Sequence, residues 1–223
     1  MKLPAGLQGV IVDLDGTMVD TAGDFVVALN RMLGDLALPP IDHAFVARTV
    51  GKGSEHLIRQ TLARTQDAEG VHRLYEDAWA HYQHHYLAIN GEHAAVFPGV
   101  IEGLRRLAAL GLPLACLTNK PTAFALPLLE RKGLAAYFRR AFGGDAFERK
   151  KPDPLPLLKT CEALGTEPAR TLMIGDSIND AMAARAAGCP VVLVTYGYNH
   201  GEPVRSAPAD GFVDRLDELE PAF

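Results

Sequence analysis

Cysteine is scarce in this 223-residue chain: Cys116, Cys161 and Cys189 are the whole complement, an odd number, far apart, with no CxxC spacing. That pattern fits neither a disulfide framework nor a zinc site, and Cys116, inside an apolar run, is expected to be a small buried hydrophobe. Reduced thiols suit a cytoplasmic protein. No uninterrupted apolar run reaches the roughly 18 residues that a membrane span needs, so no membrane association is expected. Positive charge is not in excess either. The net charge is -5, and the basic face that nucleic acid calls for is missing. The first residues, MKLPAGLQG, lack the apolar core of a signal peptide and the pattern of a transit peptide, which again makes the cytoplasm the expected compartment. Internal repeats and low-complexity tracts are also absent.

What is present is an ordinary globular composition, 48% hydrophobic and 22% charged, in a length sufficient for one large domain or two unequal ones. The C-terminal half alternates. LPLACLT (112–118), TLMIGD (171–176) and PVVLVTY (190–196) read as short buried strands bounded by Gly, Pro or polar residues. Between them, PTAFALPLLERKG and DPLPLLKTCEALG read as helices with Pro near the start and Gly at the end, Pro127 being a kink point in the first. Strand and helix in turn imply a mostly parallel sheet covered on both faces. Residues 19–94 differ, because four helical patterns follow one another there with no buried strand. A crossover between parallel strands needs only about 12 residues, so this stretch reads as an inserted all-helical domain, with 1–18 and 95–223 forming the α/β core.

Open parallel sheets carry their functional groups at the carboxyl ends of the strands. Those ends hold Asp13 and Asp15 after VIV, Thr118 and Asn119 after LACL, and Asp176 after LMIG, with Lys151 in a loop before a helix. In an extended segment Asp13 and Asp15 would lie on one side, and like charges that close call for a cation. An Asp15-Gly16 turn is the plainer reading of the same residues. The full set offers carboxylates for a hard cation such as Mg²⁺, a hydroxyl and amides for an oxyanion, and an ammonium against added charge. Phosphoryl transfer uses such a set: one carboxylate as nucleophile, the other to protonate the leaving alkoxide and later deprotonate water.

The segments DLDGT, LTN, KKPDP and GDSIND stand in the order of four motifs of the haloacid dehalogenase superfamily of phosphatases, which this chain resembles over nearly its whole length. The resemblance implies a Rossmann-like parallel core with a helical cap and a Mg²⁺-dependent reaction. It implies Asp13 as nucleophile and Asp15 as general acid/base. Thr118 and Asn119 would hold phosphoryl oxygens, and Lys151 would pair with nucleophile and phosphate. Asp176 would ligate the metal with Asp13 and the backbone carbonyl of Asp15, and Asp180 would support Lys151 or a metal-bound water. VGKG, FPGV, TNKP, AAGCP and TYGYNHGEP place the likeness nearest the phosphoglycolate phosphatase branch, although phosphatases of sugar phosphates and amino-sugar phosphates share much of this wording, and pyrophosphate is a further alternative. The expected partner is a small phosphate monoester, and the expected assembly a monomer or homodimer.

In ARTVGKGSEHL, Gly51 and Gly53 free the backbone, Ser54 caps the next helix, and Arg48 or Lys52 is expected to clamp a substrate carboxylate. His81 and His85 share a helix face, but without HExxH they read as surface residues, and Tyr82 and Tyr86 as packing residues. A phospho-receiver module has similar strand-end acids, a Thr and a Lys. It lacks a helical insertion of this size, and an acid at position 15 would shorten the life of a phosphoryl signal.

Overall fold

Short apolar runs form the centre of the molecule, because strands covered on both faces need apolar residues at nearly every position. The structure, a computed structural model, describes residues 1–220. In chain order its elements are β1 (Gly9–Val12), β2 (Val19–Asp20), α1 (Ala22–Asp35), α2 (His43–Thr49), α3 (Ser54–Leu62), α4 (Ala68–Ile89), β3 (Ala95–Val96) and α5 (Val100–Ala109). There follow β4 (Leu114–Leu117), α6 (Thr122–Arg131), β5 (Arg140–Phe142), α7 (Leu155–Leu164), β6 (Thr171–Gly175), α8 (Ile178–Ala187), β7 (Val191–Val194) and β8 (Gly211–Val213).

Six strands make one parallel sheet in the order β5-β4-β1-β6-β7-β8. The fold is therefore α/β, with β1 central: Val12 lies opposite Cys116 on one side and Ile174 on the other. Side chains alternate across a strand, and two cores result. Val10, Val12, Cys116 and Ile174 pack with Leu104 of α5 and Leu128 of α6 on one face. Ile11, Ala115 and Met173 pack with Leu157 of α7 and Ala184 of α8 on the other. Cys116 is buried, as its apolar run suggested. Helix α6 continues through Pro127, forgoing one backbone hydrogen bond. Gly165, at φ 72°, ends α7.

Helices α1 to α4 follow one another between β2 and β3 and bury a cluster of their own around Phe25, Leu29, Ile58, Tyr82 and Tyr86, joined by Phe124 from α6. Asp42 and Asp67 accept the first free amides of α2 and α4 and fix where those helices begin. His81 and His85 meet Asp35 at 3.1 and 2.6 Å where α4 packs on α1. The chain enters and leaves these helices side by side, since Val19 pairs with Val96 and Asp20 with Ala95 in an antiparallel ladder.

Candidate active site

Because β4, β1 and β6 are neighbours and run the same way, their carboxyl ends deliver Thr118 and Asn119, Asp13, and Asp176 to one rim. Lys151 comes from the loop before α7 and is fixed to that rim through its backbone. Its N–H donates to Asn119 Oδ1 (3.0 Å), and its carbonyl accepts from Asn119 Nδ2 (2.9 Å). The ammonium donates to Leu117 O (2.9 Å) and Asp180 Oδ1 (2.7 Å) and lies 2.9 Å from Asp13 Oδ1. Burial alone would pull the Lys151 pKa down, but Asp13 and Asp180 outweigh it and leave it raised. Asp180 is thus committed twice, since its Oδ2 also accepts from Ser177 Oγ at the start of α8 (2.8 Å).

Asp13, Asp176 and Asp180 each bring an oxygen within 4.8 Å of the others, all three buried. Burial and the neighbouring Asp180 raise the Asp13 pKa to about 7 against the pull of Lys151. Burial, then Asp180 and Asp13, raise Asp176 well above the usual carboxylate range. Asp13 Oδ1 faces Lys151 without an aligned hydrogen bond and has no other partner. An all-oxygen donor set with surplus negative charge fits a hard divalent cation. Asp176 is held for that use: its Oδ2 accepts from Tyr198 N (2.7 Å) and its Oδ1 from Thr17 Oγ1 (3.2 Å).

Asp15 faces elsewhere. Strand β1 stops at Val12, and a turn through Gly16 (φ 82°) follows, so the two-residue alternation no longer holds Asp13 and Asp15 to common partners. The Asp15 carboxylate accepts from Thr21 Oγ1 (2.8 Å) and from the Lys120 ammonium at both oxygens (3.0 and 3.3 Å). Both carboxylates nevertheless line one small cavity of about 20 Å³, partly open to solvent, together with Thr118 and Asn119.

The far wall of the cavity is the turn between α2 and α3. Gly51 and Gly53 have φ of 112° and 90°, and this backbone sends the Gly51 carbonyl to the core, where Asn119 Nδ2 (3.0 Å) and Asn179 Nδ2 (3.3 Å) donate to it. Arg48 and Lys52, expected as the clamp, are exposed and do not line the cavity. The stem of Arg48 lies over Gly201, and Lys52 sits near His56 and His200, helping to lower both their pKa values after burial. The same turn places Gly51, Gly53 and Ser54 in the lining instead.

Two residues stand out that the motifs left without a role. Lys120, inside the TNKP segment, is buried against Asp15. Tyr198, inside TYGYNHGEP, joins two regions: its N–H holds Asp176, while its hydroxyl donates to Asp20 Oδ1 (2.7 Å) and accepts from Thr21 N (2.8 Å) and Ala22 N (3.0 Å) where α1 begins.

The family model for haloacid dehalogenase-like hydrolases matches residues 10–194. A phosphoglycolate phosphatase of Thiobacillus denitrificans is 44% identical over 217 residues, 97% of this chain and 96% of that protein. The plasmid phosphoglycolate phosphatase of Cupriavidus necator is 45% identical over 210 residues, 94% of this chain and 90% of that one. A crystal structure of a predicted phosphoglycolate phosphatase from Haemophilus somnus superimposes with a TM-score of 0.89 at 30% identity, covering 95% of this chain and 96% of that chain.

Proposed function

The chain belongs to the haloacid dehalogenase-like hydrolase family, and on that premise we propose that it hydrolyses 2-phosphoglycolate to glycolate and phosphate. That it is a phosphoric monoester hydrolase follows from relatives above 40% identity over nearly the whole chain. The observation that supports phosphoryl transfer is the placement of Asp13 beside Lys151 and Asp176, in a cavity that Asp15 also lines, and 2-phosphoglycolate as the substrate is supported by the relatives that carry that name.

On this reading a carboxylate oxygen of Asp13 attacks phosphorus, the bond from phosphorus to the leaving oxygen breaks, and Asp15 protonates the departing alkoxide. Water then attacks the aspartyl-phosphate and gives its proton to Asp15, and the bond from phosphorus to Asp13 breaks to release phosphate. Lys151 keeps Asp13 oriented and balances charge added by the phosphoryl group, and Thr118 through its hydroxyl and Asn119 through its backbone N–H, its side chain being committed to Lys151 and Gly51, hold phosphoryl oxygens. A divalent cation, Mg²⁺ for this donor set, would be held by Asp13, Asp176 and the backbone carbonyl of Asp15, and when bound it screens the phosphoryl charge from the nucleophile. Asp180 positions Lys151.

The test compares kcat/KM for 2-phosphoglycolate, sugar phosphates, an amino-sugar phosphate and pyrophosphate, with Mg²⁺ present and after chelation. Highest activity on 2-phosphoglycolate, lost with EDTA and lost in Asp13→Asn, is the expected result. A sugar or amino-sugar phosphate preferred by about tenfold or more, a difference of about 1.4 kcal/mol, would leave the phosphatase standing and remove the named substrate.

A further inference from the structure

The cavity lining contains a single cationic side chain, and it is Lys120. The residue is 3% exposed, and its ammonium contacts both oxygens of Asp15. Its remaining face is covered by aromatic rings from the inserted helices, with Phe25 of α1 at 4.3 Å and Tyr86 of α4 at 4.6 Å from ring centroid to Nζ. Lys120 therefore leaves the core at the end of β4 and enters the helical insert. An ammonium in such a place persists only through anions and π faces. Burial lowers its pKa, and Asp15 is the chief group opposing that.

The rest of this end of the cavity is formed by the apolar side chains of Phe25, Val50 and Leu57 and by the uncharged Gly51, Gly53 and Ser54, and the phosphoryl end is already served by Lys151. A neutral or apolar tail makes no ionic contact here, whereas one ending in an anion meets the one cationic side chain of the lining, Lys120. The Tyr86 hydroxyl, on a ring that faces the ammonium, has no hydrogen-bond partner and is a further buried donor in the same cluster.

We propose that Lys120 reads the leaving group: its ammonium binds the substrate carboxylate and in doing so releases one oxygen of Asp15. This rests on the 2-phosphoglycolate reading above and deepens it. No bond is made or broken in the exchange. One carboxylate replaces another as the partner of a Lys that has three donors. Its consequence is that the acid/base group is freed when a carboxylate-bearing substrate is seated and stays held by Lys120 when a neutral one is. Discrimination then appears in kcat as well as in KM, because the contact changes between free and reacting enzyme.

The experiment uses Lys120→Met and Lys120→Arg with two substrates, 2-phosphoglycolate and ethyl phosphate, which has a methyl group in place of the carboxylate. The wild type should prefer 2-phosphoglycolate by about 30-fold or more, the contribution of a desolvated charge-assisted pair. Lys120→Met should bring that ratio to within about threefold of unity, whatever loss both substrates share, and Lys120→Arg should keep most of it. A wild-type preference that survives intact in Lys120→Met overturns the proposal alone. Absence of any preference in the wild type removes the substrate reading and the proposal together. Should Lys120→Met fail to fold, a structure of the wild-type protein with 3-phosphonopropionate decides. The carboxylate on Lys120 Nζ is the expected result, and a carboxylate placed on Arg48 or Lys52 is the overturning one.

Discussion

Asp13 sits where its own charge is unwelcome, and that has a thermodynamic signature. Between its ordinary value of 3.8 and the folded value of about 7, the folded protein holds a proton that the unfolded chain has lost. A raised carboxylate pKa gives stability that is complete below this window and drains away as pH climbs through about 7. Asp176, raised in the same direction, adds to the slope. Without metal, the melting temperature should fall between about pH 5 and about pH 8, and Mg²⁺, which binds the ionised carboxylates, should raise it more at the higher pH. Calorimetry of the metal-free protein across that range, with and without Mg²⁺, checks this. An equal metal-induced shift at both ends would count against a Mg²⁺ site at Asp13 and Asp176.

At the scale of an element, the turn after β1 is tightly constrained. Gly16 combines a φ of 82° with a position where an added Cβ would collide with Asp176 Oδ2. Gly16→Ala should cost about 1–2 kcal/mol of backbone strain and, by displacing an oxygen of the Asp13, Asp176 and Asp180 cluster, lower kcat/KM by about 100-fold or more. Denaturant unfolding and steady-state kinetics separate the two effects, and a variant with near wild-type kcat/KM would show that Asp176 need not stay where it is. Elements of this kind are legible in sequence because their signals are local. VIV before Asp13, LMIG before Asp176 and LACL before Thr118 each mark a buried strand and its polar end. What those runs do not carry is which strands become neighbours. Lys120 shows the limit, because its partners Phe25 and Tyr86 come from helices far back in the chain. The turn holding Arg48 and Lys52 shows it differently: charges beside glycines suggested a side-chain clamp, yet positive φ at Gly51 and Gly53 turns a backbone carbonyl to the core and leaves both cations in solvent.

Across the whole molecule, the insert is tied to the core at its far end by the Gly51 carbonyl, shared between Asn119 and Asn179. Asn119 also fixes Lys151, so Asn179 is the partner that can be removed with least disturbance of the rim. Asn179→Ala should speed amide exchange in residues 50–54 by about fivefold, near 1 kcal/mol for a lost hydrogen bond, and leave exchange in β1 and β6 unchanged. Exchange mass spectrometry reads this directly, and identical protection in the variant would mean the contact does not hold the turn. At the near end the pairing of β2 with β3 makes two distant points of the chain a single point in space. Whatever is spliced in there is bounded by one short ladder, so an ancestor could exchange the entire helical insert in one genetic event without moving Asp13, Lys151 or Asp176. Phe25, Tyr86, Val50 and Leu57 would depart with the old insert, leaving Lys120, with Phe124, Asn119, Asn179 and Tyr198, among the core residues to be matched to the new one. Chemistry and choice of leaving group are thus carried by separable stretches of chain, and Lys120 stands where the two meet.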